Sequence, residues 1–272
     1  MTDHIPPESE TARLTFLGTG TSHGVPVIGC ECPVCTSTDP RNNRTRASAL
    51  VQTGPPDTTI LIDTSVDLRR QALRQRISHI DAVLYTHHHA DHIFGLDDLR
   101  TFSDRQGRID CYAAPATANH LRRVFGYAFS APDITEWGGL PRLNLIEIGG
   151  PFEINGHTVI PLELPHGRHV TVLGFRIGAL AYLTDCNGLP DKALEQLHGL
   201  DTLVLDALRP KPHPTHFSIA EAVDAARRIG ARRTWFTHIS HRSDHATLAA
   251  SLPPNIQPAY DGLTVDVRPQ QS

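Results

Sequence analysis

Short apolar runs, separated by glycine, proline and polar residues, recur along the whole chain and predict a protein rich in β-strands. The runs that predict strands are 13–17, 47–52, 59–63, 81–85, 109–113, 158–164, 173–177, 181–184, 202–206 and 234–237. Apolar residues at helical spacing predict helices at 67–76 and 219–229, and a shorter helix beginning at 247. Because no linker interrupts this alternation, we expect one domain of layered sheets flanked by helices.

The composition supports a single folded domain. The 272 residues are 39% hydrophobic and 20% charged, which allows a packed core. We expect residues 1–12 to form a flexible tail and residues 13–272 to form the domain. The tail has neither a basic start nor an apolar run, and no stretch reaches the ~20 apolar residues of a membrane helix. We therefore expect a cytoplasmic protein without membrane contact.

Net charge and cysteine content narrow the function classes. A formal net charge of -4 leaves no basic field for binding long nucleic acid, whereas a small anionic substrate stays compatible with it. The cysteine count is 5, an odd number, and three of these residues stand close together between positions 30 and 35. This spacing favours a metal site in a reducing compartment over a disulfide framework.

A histidine-rich motif, Thr-His-His-His-Ala-Asp-His at positions 86–92, follows directly after the predicted buried strand 81–85. Alternating positions along an extended chain point the same way, so His87 and His89 can face one point. Asp91 and His92 stand at the turn into the next element and can face a second point nearby. Imidazole and carboxylate ligands suit zinc, manganese or iron, so the motif predicts a metal site.

The H-x-H-x-D-H spacing after a strand resembles the metallo-β-lactamase superfamily, and the later residues of that pattern follow in order. His166 stands in Leu-Pro-His-Gly, Asp185 in Leu-Thr-Asp and His238 in Phe-Thr-His-Ile, each at the end of a predicted strand. The resemblance covers residues 13 to 267. It implies an α/β (α+β) fold, the four-layer αβ/βα sandwich of two mixed sheets flanked by helices.

The same resemblance implies a site for two divalent ions. One ion would be held by His87, His89 and His166, the other by Asp91, His92 and His238, and Asp185 would bridge the two. A shared carboxylate and a shared hydroxide lower the repulsion between neighbouring cations. Asp63, in Ile-Leu-Ile-Asp, stands where such proteins keep an acid that orients a ligand, although a plain turn residue is the alternative. Manganese and zinc fit this ligand set equally well.

A second cluster, C-x-C-x-x-C, is formed by Cys30, Cys32 and Cys35. Three thiolates this close favour one tetrahedral zinc with a fourth ligand from elsewhere, and free thiols in a loop are the alternative. Together with Thr-His-Ile-Ser-His at 237–241, the cluster resembles the PhnP-like phosphodiesterases. By that resemblance His241 completes a structural zinc site, which contributes stability because it leaves no position open for substrate.

The resemblance implies a phosphodiesterase for small or cyclic phosphodiesters, such as a ribosyl cyclic phosphate or a 2′,3′-cyclic nucleotide. A metal-bridging hydroxide would attack phosphorus at the site of Asp91 and Asp185, and His216 would protonate the leaving oxygen. His213 competes for the role of acid, and Asp206 is a candidate for orienting the site. The candidates for substrate contact are Thr21, Ser22, His23, Arg168, His169, Arg209 and Lys211. The family also implies a homodimer.

Two alternatives remain open. The first is another hydrolase of the same fold: a tRNA 3′-processing nuclease, which would need a basic surface, or a thioesterase or lactamase, which would lack the cysteine cluster. The second is a non-catalytic binding or carrier protein of the PqqB type, in which the metal motif is degraded. Extra sequence at 120–145 distinguishes this chain from the PhnP-like pattern and leaves its substrate open. We expect this stretch to cover the site or form an interface.

Overall fold

In a computed structural model, which describes residues 11–130 and 139–269, the chain folds into two seven-stranded sheets. The strands are β1 (Thr11–Gly18), β2 (Ser48–Gly54), β3 (Thr58–Ile62), β4 (Ala82–Leu84), β5 (Ile109–Ala113), β6 (Leu143–Glu147), β7 (Phe152–Ile154), β8 (His157–His166), β9 (Val170–Ile177), β10 (Leu180–Leu183), β11 (Thr202–Asp206), β12 (Arg233–Thr237), β13 (Ile256–Pro258) and β14 (Thr264–Val267). The strand orders are β14-β1-β2-β3-β4-β5-β6 and β13-β12-β11-β10-β9-β8-β7.

Helices cover the outer faces of both sheets. They are α1 (Leu68–Gln75), α2 (Ala90–Ile93), α3 (Arg100–Gln106), α4 (Pro115–Phe129), α5 (Asp191–Glu195), α6 (Ile219–Ile229) and α7 (His245–Ser251), with 3-10 turns at Pro40–Asn42 and Leu96–Leu99. Within the described ranges, none of these helices is long and apolar enough to cross a membrane. The expected tail, residues 1–12, lies outside the described residues except for Thr11 and Ala12, which belong to β1.

Three apolar cores explain the layering. Residues on alternate positions of a strand point to opposite faces. On β11, Val204 packs between the two sheets, whereas Leu203 and Leu205 pack outward in a core that includes residues of α5 and α6. On β4, Leu84 faces the core between the sheets, and Val83 packs outward in a core shared with α1, α3 and α4. The expected four-layer sandwich of two mixed sheets is thus confirmed.

Several elements that the sequence analysis missed are too short or too irregular to show a hydrophobic pattern. β7 and β13 have three residues each, and β14 has four, which is too short for an alternation to stand out. α4 is interrupted by non-helical backbone angles at Phe125. Of the stretch 120–145, α4 and β6 account for both ends, and residues 131–138 lie outside the described residues. The clear helix predicted at 219–229 is α6, which begins at a capping box formed by Ser218 and Glu221.

The strand directions place the candidate site. β3, β4 and β5 run parallel in one sheet, and β10, β11 and β12 run parallel in the other. Because parallel strands end at the same edge of a sheet, residues that follow them meet there. Asp63 and His238 directly follow β3 and β12, and Asp185 is the second residue after β10. Their φ angles of 61°, 58° and 55° are left-handed. Such backbone is costly for residues other than glycine and turns the chain sharply at the strand end.

The core between the sheets predicts a matched pair of stability effects. Leu14 on β1 is fully buried in this core, and Leu73 on α1 is 63% exposed. We expect Leu14→Ala to lower the free energy of unfolding by about 2–5 kcal/mol, because it removes buried contacts and leaves a cavity. Leu73→Ala should change it by less than about 0.5 kcal/mol. Urea denaturation followed by circular dichroism measures both, and equal effects would contradict this layering.

Candidate dinuclear metal centre and cysteine-histidine site

The first group of histidines comes from two distant segments. His87 and His89 lie in the loop between β4 and α2, and His166 ends β8. Each brings one ring nitrogen to within 4.8 Å of the others, and His87 Nε2 lies 2.9 Å from His89 Nδ1. The structure therefore brings together the three residues that were predicted to share one metal ion.

The second group lies around the carboxylate of Asp185. His238 Nδ1 is 3.2 Å from Asp185 Oδ1, and His92 Nε2 is 3.3 Å from Asp185 Oδ2. His87 Nε2 is 3.9 Å from the same Oδ2, so the carboxylate contacts members of both histidine groups. Asp91 joins through its Oδ2, which is 3.3 Å from His92 Nε2. Asp185 thus lies between the two groups, where a bridging ligand would be.

The donor atoms fit a pair of divalent ions. His92 Nε2 and His238 Nδ1 are buried and have no hydrogen bond among the described residues. A buried polar atom without a partner is costly, and a metal ion would relieve that cost. Burial lowers the pKa of His238 to about 4 and that of His87 well below its usual value, which leaves both imidazoles neutral and able to bind a cation. The buried histidines and aspartates form a cluster that is typical of a dinuclear metal site.

Asp63 lies behind His92 rather than among the donor atoms. His92 Nδ1 donates to Asp63 Oδ2 at 2.7 Å, which turns Nε2 towards Asp185. Thr86 donates to the same carboxylate twice, from its backbone amide at 2.8 Å and from its hydroxyl at 2.7 Å. The structure places Asp63 where an orienting acid was expected. Thr86 was not predicted, although its place directly before His87 is a signal for such a role.

His216 is held by a buried carboxylate. Its Nδ1 donates to Asp206 Oδ2 at 2.8 Å, and the backbone amide of Cys186 donates to the same oxygen at 2.9 Å. Its ring centroid is 4.8 Å from that of His166 and 4.9 Å from that of His238. Burial lowers the pKa of His216, but the Asp206 carboxylate outweighs it, and the pKa is raised above its usual value. His216 therefore lies beside the cluster in a form able to carry a proton.

His213 is the weaker candidate for the role of general acid. Its ring centroid is 5.2 Å from that of His216, so it is also near the cluster. Its contacts are with the backbone amide and hydroxyl of Thr215, at 3.4 and 3.2 Å, and no described carboxylate lies within hydrogen-bonding distance of it. Burial and the neighbouring His216 lower its pKa. Of the two histidines, His216 has the better geometry for an acid.

A cavity of about 290 Å³ opens beside this cluster. Its lining includes Thr21, Ser22, His23, Arg209, His213, His216, His238, His241 and Arg242. No described aspartate or glutamate lines it, so its walls carry positive charge at two arginines. Of the predicted contact residues, Arg168, His169 and Lys211 do not line the cavity. Arg242 was missed, and its position directly after His241 was the only signal.

The cysteine cluster meets His241 as expected. The Sγ atoms of Cys30, Cys32 and Cys35 lie 3.3, 3.6 and 3.5 Å from His241 Nδ1. Tetrahedral zinc, with bonds of about 2.3 Å to sulfur and 2.05 Å to nitrogen, separates such atoms by about 3.5 Å. The backbone amide of Cys35 lowers the pKa of Cys32 to about 6, whereas burial raises the pKa of Cys35 to about 11, so without a cation Cys32 favours the thiolate form and Cys35 the thiol. This Cys3His group has the spacing of a structural zinc site.

Comparison with known proteins agrees with this fold and site. Residues 58–239 match the family model described as the β-lactamase superfamily domain. The fold, the ordered histidines and aspartates and this match define the class, and the chain belongs to the metallo-β-lactamase superfamily.

Within this superfamily, the chain is similar to the solved structure of a new diphosphatase from the PhnP family. It is 43% identical, with a TM-score of 0.88, and the match covers 96% of this chain and 99% of that one.

Two relatives are named for other activities. An octanoyltransferase of Porphyromonas gingivalis is 40% identical over 255 residues, which is 92% of this chain but only 51% of that protein. A coenzyme PQQ synthesis protein B of Methylobacterium radiotolerans is 35% identical over 224 residues, 71% of this chain and 72% of that protein. The chain therefore spans about half the length of the first of these relatives.

The separation of the two metal sites predicts distinct metal losses. Cys32→Ser removes one thiolate from the Cys3His group and none of the histidine and aspartate donors of the cluster. We expect the variant to retain two metal equivalents and to lose one equivalent of zinc. Asp185→Asn should keep the zinc and lose metal from the cluster, because a neutral amide replaces the central carboxylate. Elemental analysis by mass spectrometry measures both, and loss of all metals in both variants would contradict two independent sites.

Proposed function

We propose that this protein is a metal-dependent phosphodiesterase for small or cyclic phosphodiesters. The observation that carries the proposal is the buried pair of His216 and Asp206, joined at 2.8 Å, directly beside the His/Asp cluster. An alkoxide is a poor leaving group, and its departure needs a positioned acid. The general hydrolase class follows from the family and the cluster, whereas the phosphodiester substrate is our inference from this pair.

Each residue has a defined part in the reaction. Two divalent ions held by the cluster would supply an activated water molecule and neutralise charge on the phosphoryl oxygens. Asp63 orients His92 from behind, and Asp185 contacts both groups of histidines. Asp206 holds His216 by Nδ1, so that Nε2 is free to donate its proton to the leaving oxygen.

The cavity supports a small anionic substrate. Its volume of about 290 Å³ is at the lower end for ligand sites, which suits a sugar phosphate or a single nucleotide. Arg209 is half-buried and donates to the carbonyls of Lys211 and Pro212, which leaves its side chain oriented along the cavity wall. Arg242 also lines the cavity and is exposed. We infer that these arginines bind an anionic group of the substrate away from the reacting phosphorus.

Hydrolysis of a diphosphate is a second candidate, favoured by the 43% identical diphosphatase of the PhnP family. The same cluster and cavity suit it, because its reacting centre is also phosphorus. The two candidates differ in the leaving group, since a departing phosphate needs less protonation than an alkoxide. The acyl transfer named for the Porphyromonas gingivalis relative is not proposed, because this chain spans about half of that protein.

The proposed role of His216 predicts a loss of kcat that depends on the leaving group of the substrate. We expect His216→Ala to lower kcat for a 2′,3′-cyclic nucleotide by about 10²–10⁴-fold, the range for losing a general acid. With bis(p-nitrophenyl) phosphate the loss should be much smaller, because p-nitrophenolate leaves without protonation. His213→Ala serves as the comparison and should lower kcat far less. Steady-state kinetics with the metal-loaded protein measures all of these values.

The outcomes separate the two candidates. Wild-type turnover of a nucleoside diphosphate sugar, with none of either phosphodiester, would replace the phosphodiesterase proposal with the diphosphatase. Equal losses for both phosphodiesters in His216→Ala would refute the proton-transfer role. If a metal-loaded wild type cleaves none of these substrates, thioesters and lactams are the next substrates to test.

The cavity wall predicts an effect on substrate affinity. Arg242→Gln should raise KM about tenfold for a substrate that carries a second anionic group, because a charge-assisted hydrogen bond is lost. Its kcat should change little, since Arg242 belongs neither to the His/Asp cluster nor to the His216–Asp206 pair. Arg227→Gln, on the exposed face of α6, is the matched control. An unchanged KM in Arg242→Gln would exclude this residue from substrate binding.

A further inference from the structure

One short segment supplies a donor to each of the two metal sites. His238 faces Asp185 and His241 faces the three cysteines, although only two residues separate them. The segment is irregular and is tied down by few main-chain hydrogen bonds, such as Ile239 N to Thr19 O and Ser240 N to Leu208 O, both at 2.9 Å. The geometry of both sites therefore depends on what else holds this segment.

The guanidinium of Arg44 holds the segment 238–243 from the interior of the protein. Its Nη1 donates to the carbonyl of Ser240 at 3.0 Å, and its Nη2 donates to the carbonyl of Ser243 at 2.9 Å. These carbonyls lie on either side of His241. Nη2 also donates to Asn42 Oδ1 at 2.9 Å, which fixes the guanidinium in place. Arg44 is only 1% exposed, and burial lowers its pKa to about 10, so it remains charged at neutral pH.

The backbone of the same residue holds the cysteine loop. Arg44 and Val25 exchange two main-chain hydrogen bonds of 2.8 Å, in an antiparallel bridge. Val25 leads into the loop that carries the cysteines, and two residues later Val27 donates its amide to Cys35 Sγ at 3.3 Å. Arg44 thus contacts the cysteine loop through its backbone and the 238–243 segment through its side chain.

We propose that Arg44 is a positioning residue that sets the alignment of the Cys3His site with the dinuclear site. Hydrogen bonds from a charged donor are stronger than those between neutral groups. Without the guanidinium, two buried carbonyls of the segment lose their donor, so the segment moves to find new partners. His241 then no longer matches the three thiolates, and His238 shifts relative to Asp185.

Release of cobalt from the Cys3His site tests the proposal without any substrate. Cobalt bound by thiolates has an intense charge-transfer absorption that histidine and aspartate ligands do not give, so this site is followed selectively. We expect Arg44→Met to release cobalt to a chelator at least about tenfold faster than wild type, the equivalent of one lost charged hydrogen bond. Arg44→Lys keeps the charge but offers a single donor nitrogen in place of two, and should be intermediate.

Arg142→Met is the matched control. Arg142 also donates from a guanidinium nitrogen to a carbonyl, that of Ser103, and its Nε, like that of Arg44, has no hydrogen bond among the described residues. It lies between α4 and β6 and contacts neither metal-binding segment. We expect Arg142→Met to lower the melting temperature without changing cobalt release, which separates positioning from general stability.

The kinetic part of the test rests on the proposed function, whereas cobalt release does not. With a phosphodiester substrate, Arg44→Met should both lower kcat and raise KM, because the segment that moves carries His238 of the cluster and Arg242 of the cavity wall. A wild-type cobalt release rate in folded Arg44→Met, with a lowered melting temperature alone, would overturn the proposal. If that variant does not fold, a wild-type rate in Arg44→Lys overturns it equally. A wild type inactive on phosphodiesters would leave the cobalt result decisive.

Discussion

The buried carboxylate of Asp185 is the interaction on which the rest of this structure depends. Its Oδ1 contacts His238, and its Oδ2 contacts His92 and approaches His87. Burial raises the pKa of Asp185, but the surrounding imidazoles outweigh it and hold the pKa well below its usual value. A charged group in such a place is stable only if cations or donors surround it. The two sheets supply those neighbours because their parallel strands end at the same edge.

A repeated arrangement keeps the imidazoles in place. His92 is held through its Nδ1 by Asp63, His216 by Asp206, and His166 by the carbonyl of Thr215. In each case the second ring nitrogen is left free for the site, which is how outer contacts set the tautomer and orientation of a ligand. The arrangement has two uses here. For His92 it directs Nε2 towards Asp185, and for His216 it leaves Nε2 available beside the cluster.

Proteins similar to this chain are named for different activities, so the superfamily by itself does not decide the reaction. Local features distinguish the site of this chain. The Cys3His group lies against the cavity through His241, and Arg242 directly after it adds positive charge to the wall. The segment that carries His241 and Arg242 is held from the interior by Arg44, which donates to the carbonyls of Ser240 and Ser243.

Most of the candidate metal donors could be predicted because their signals are local. The spacing of His87, His89, Asp91 and His92 is contained in six residues, and the cysteines lie in a similarly short stretch. The apolar run before the histidine motif indicated a strand, and the family resemblance carried by the ordered motifs implied the two-sheet sandwich that the structure confirms. Short edge strands such as β7 and β13 carried too few residues to show a pattern.

Only the tertiary structure decided which side chains meet. Arg44 contacts the carbonyl of Ser240 across 196 positions of sequence, and no local pattern records such a pairing. The contact of His216 with Asp206, rather than of His213 with it, depends on how the loop after β11 returns to the sheet. A sequence thus determines ligand types and strand periodicity through neighbours a few residues apart. Packing determines which partner a buried charge contacts, because residues far apart in sequence come together and are buried only when the sheets form.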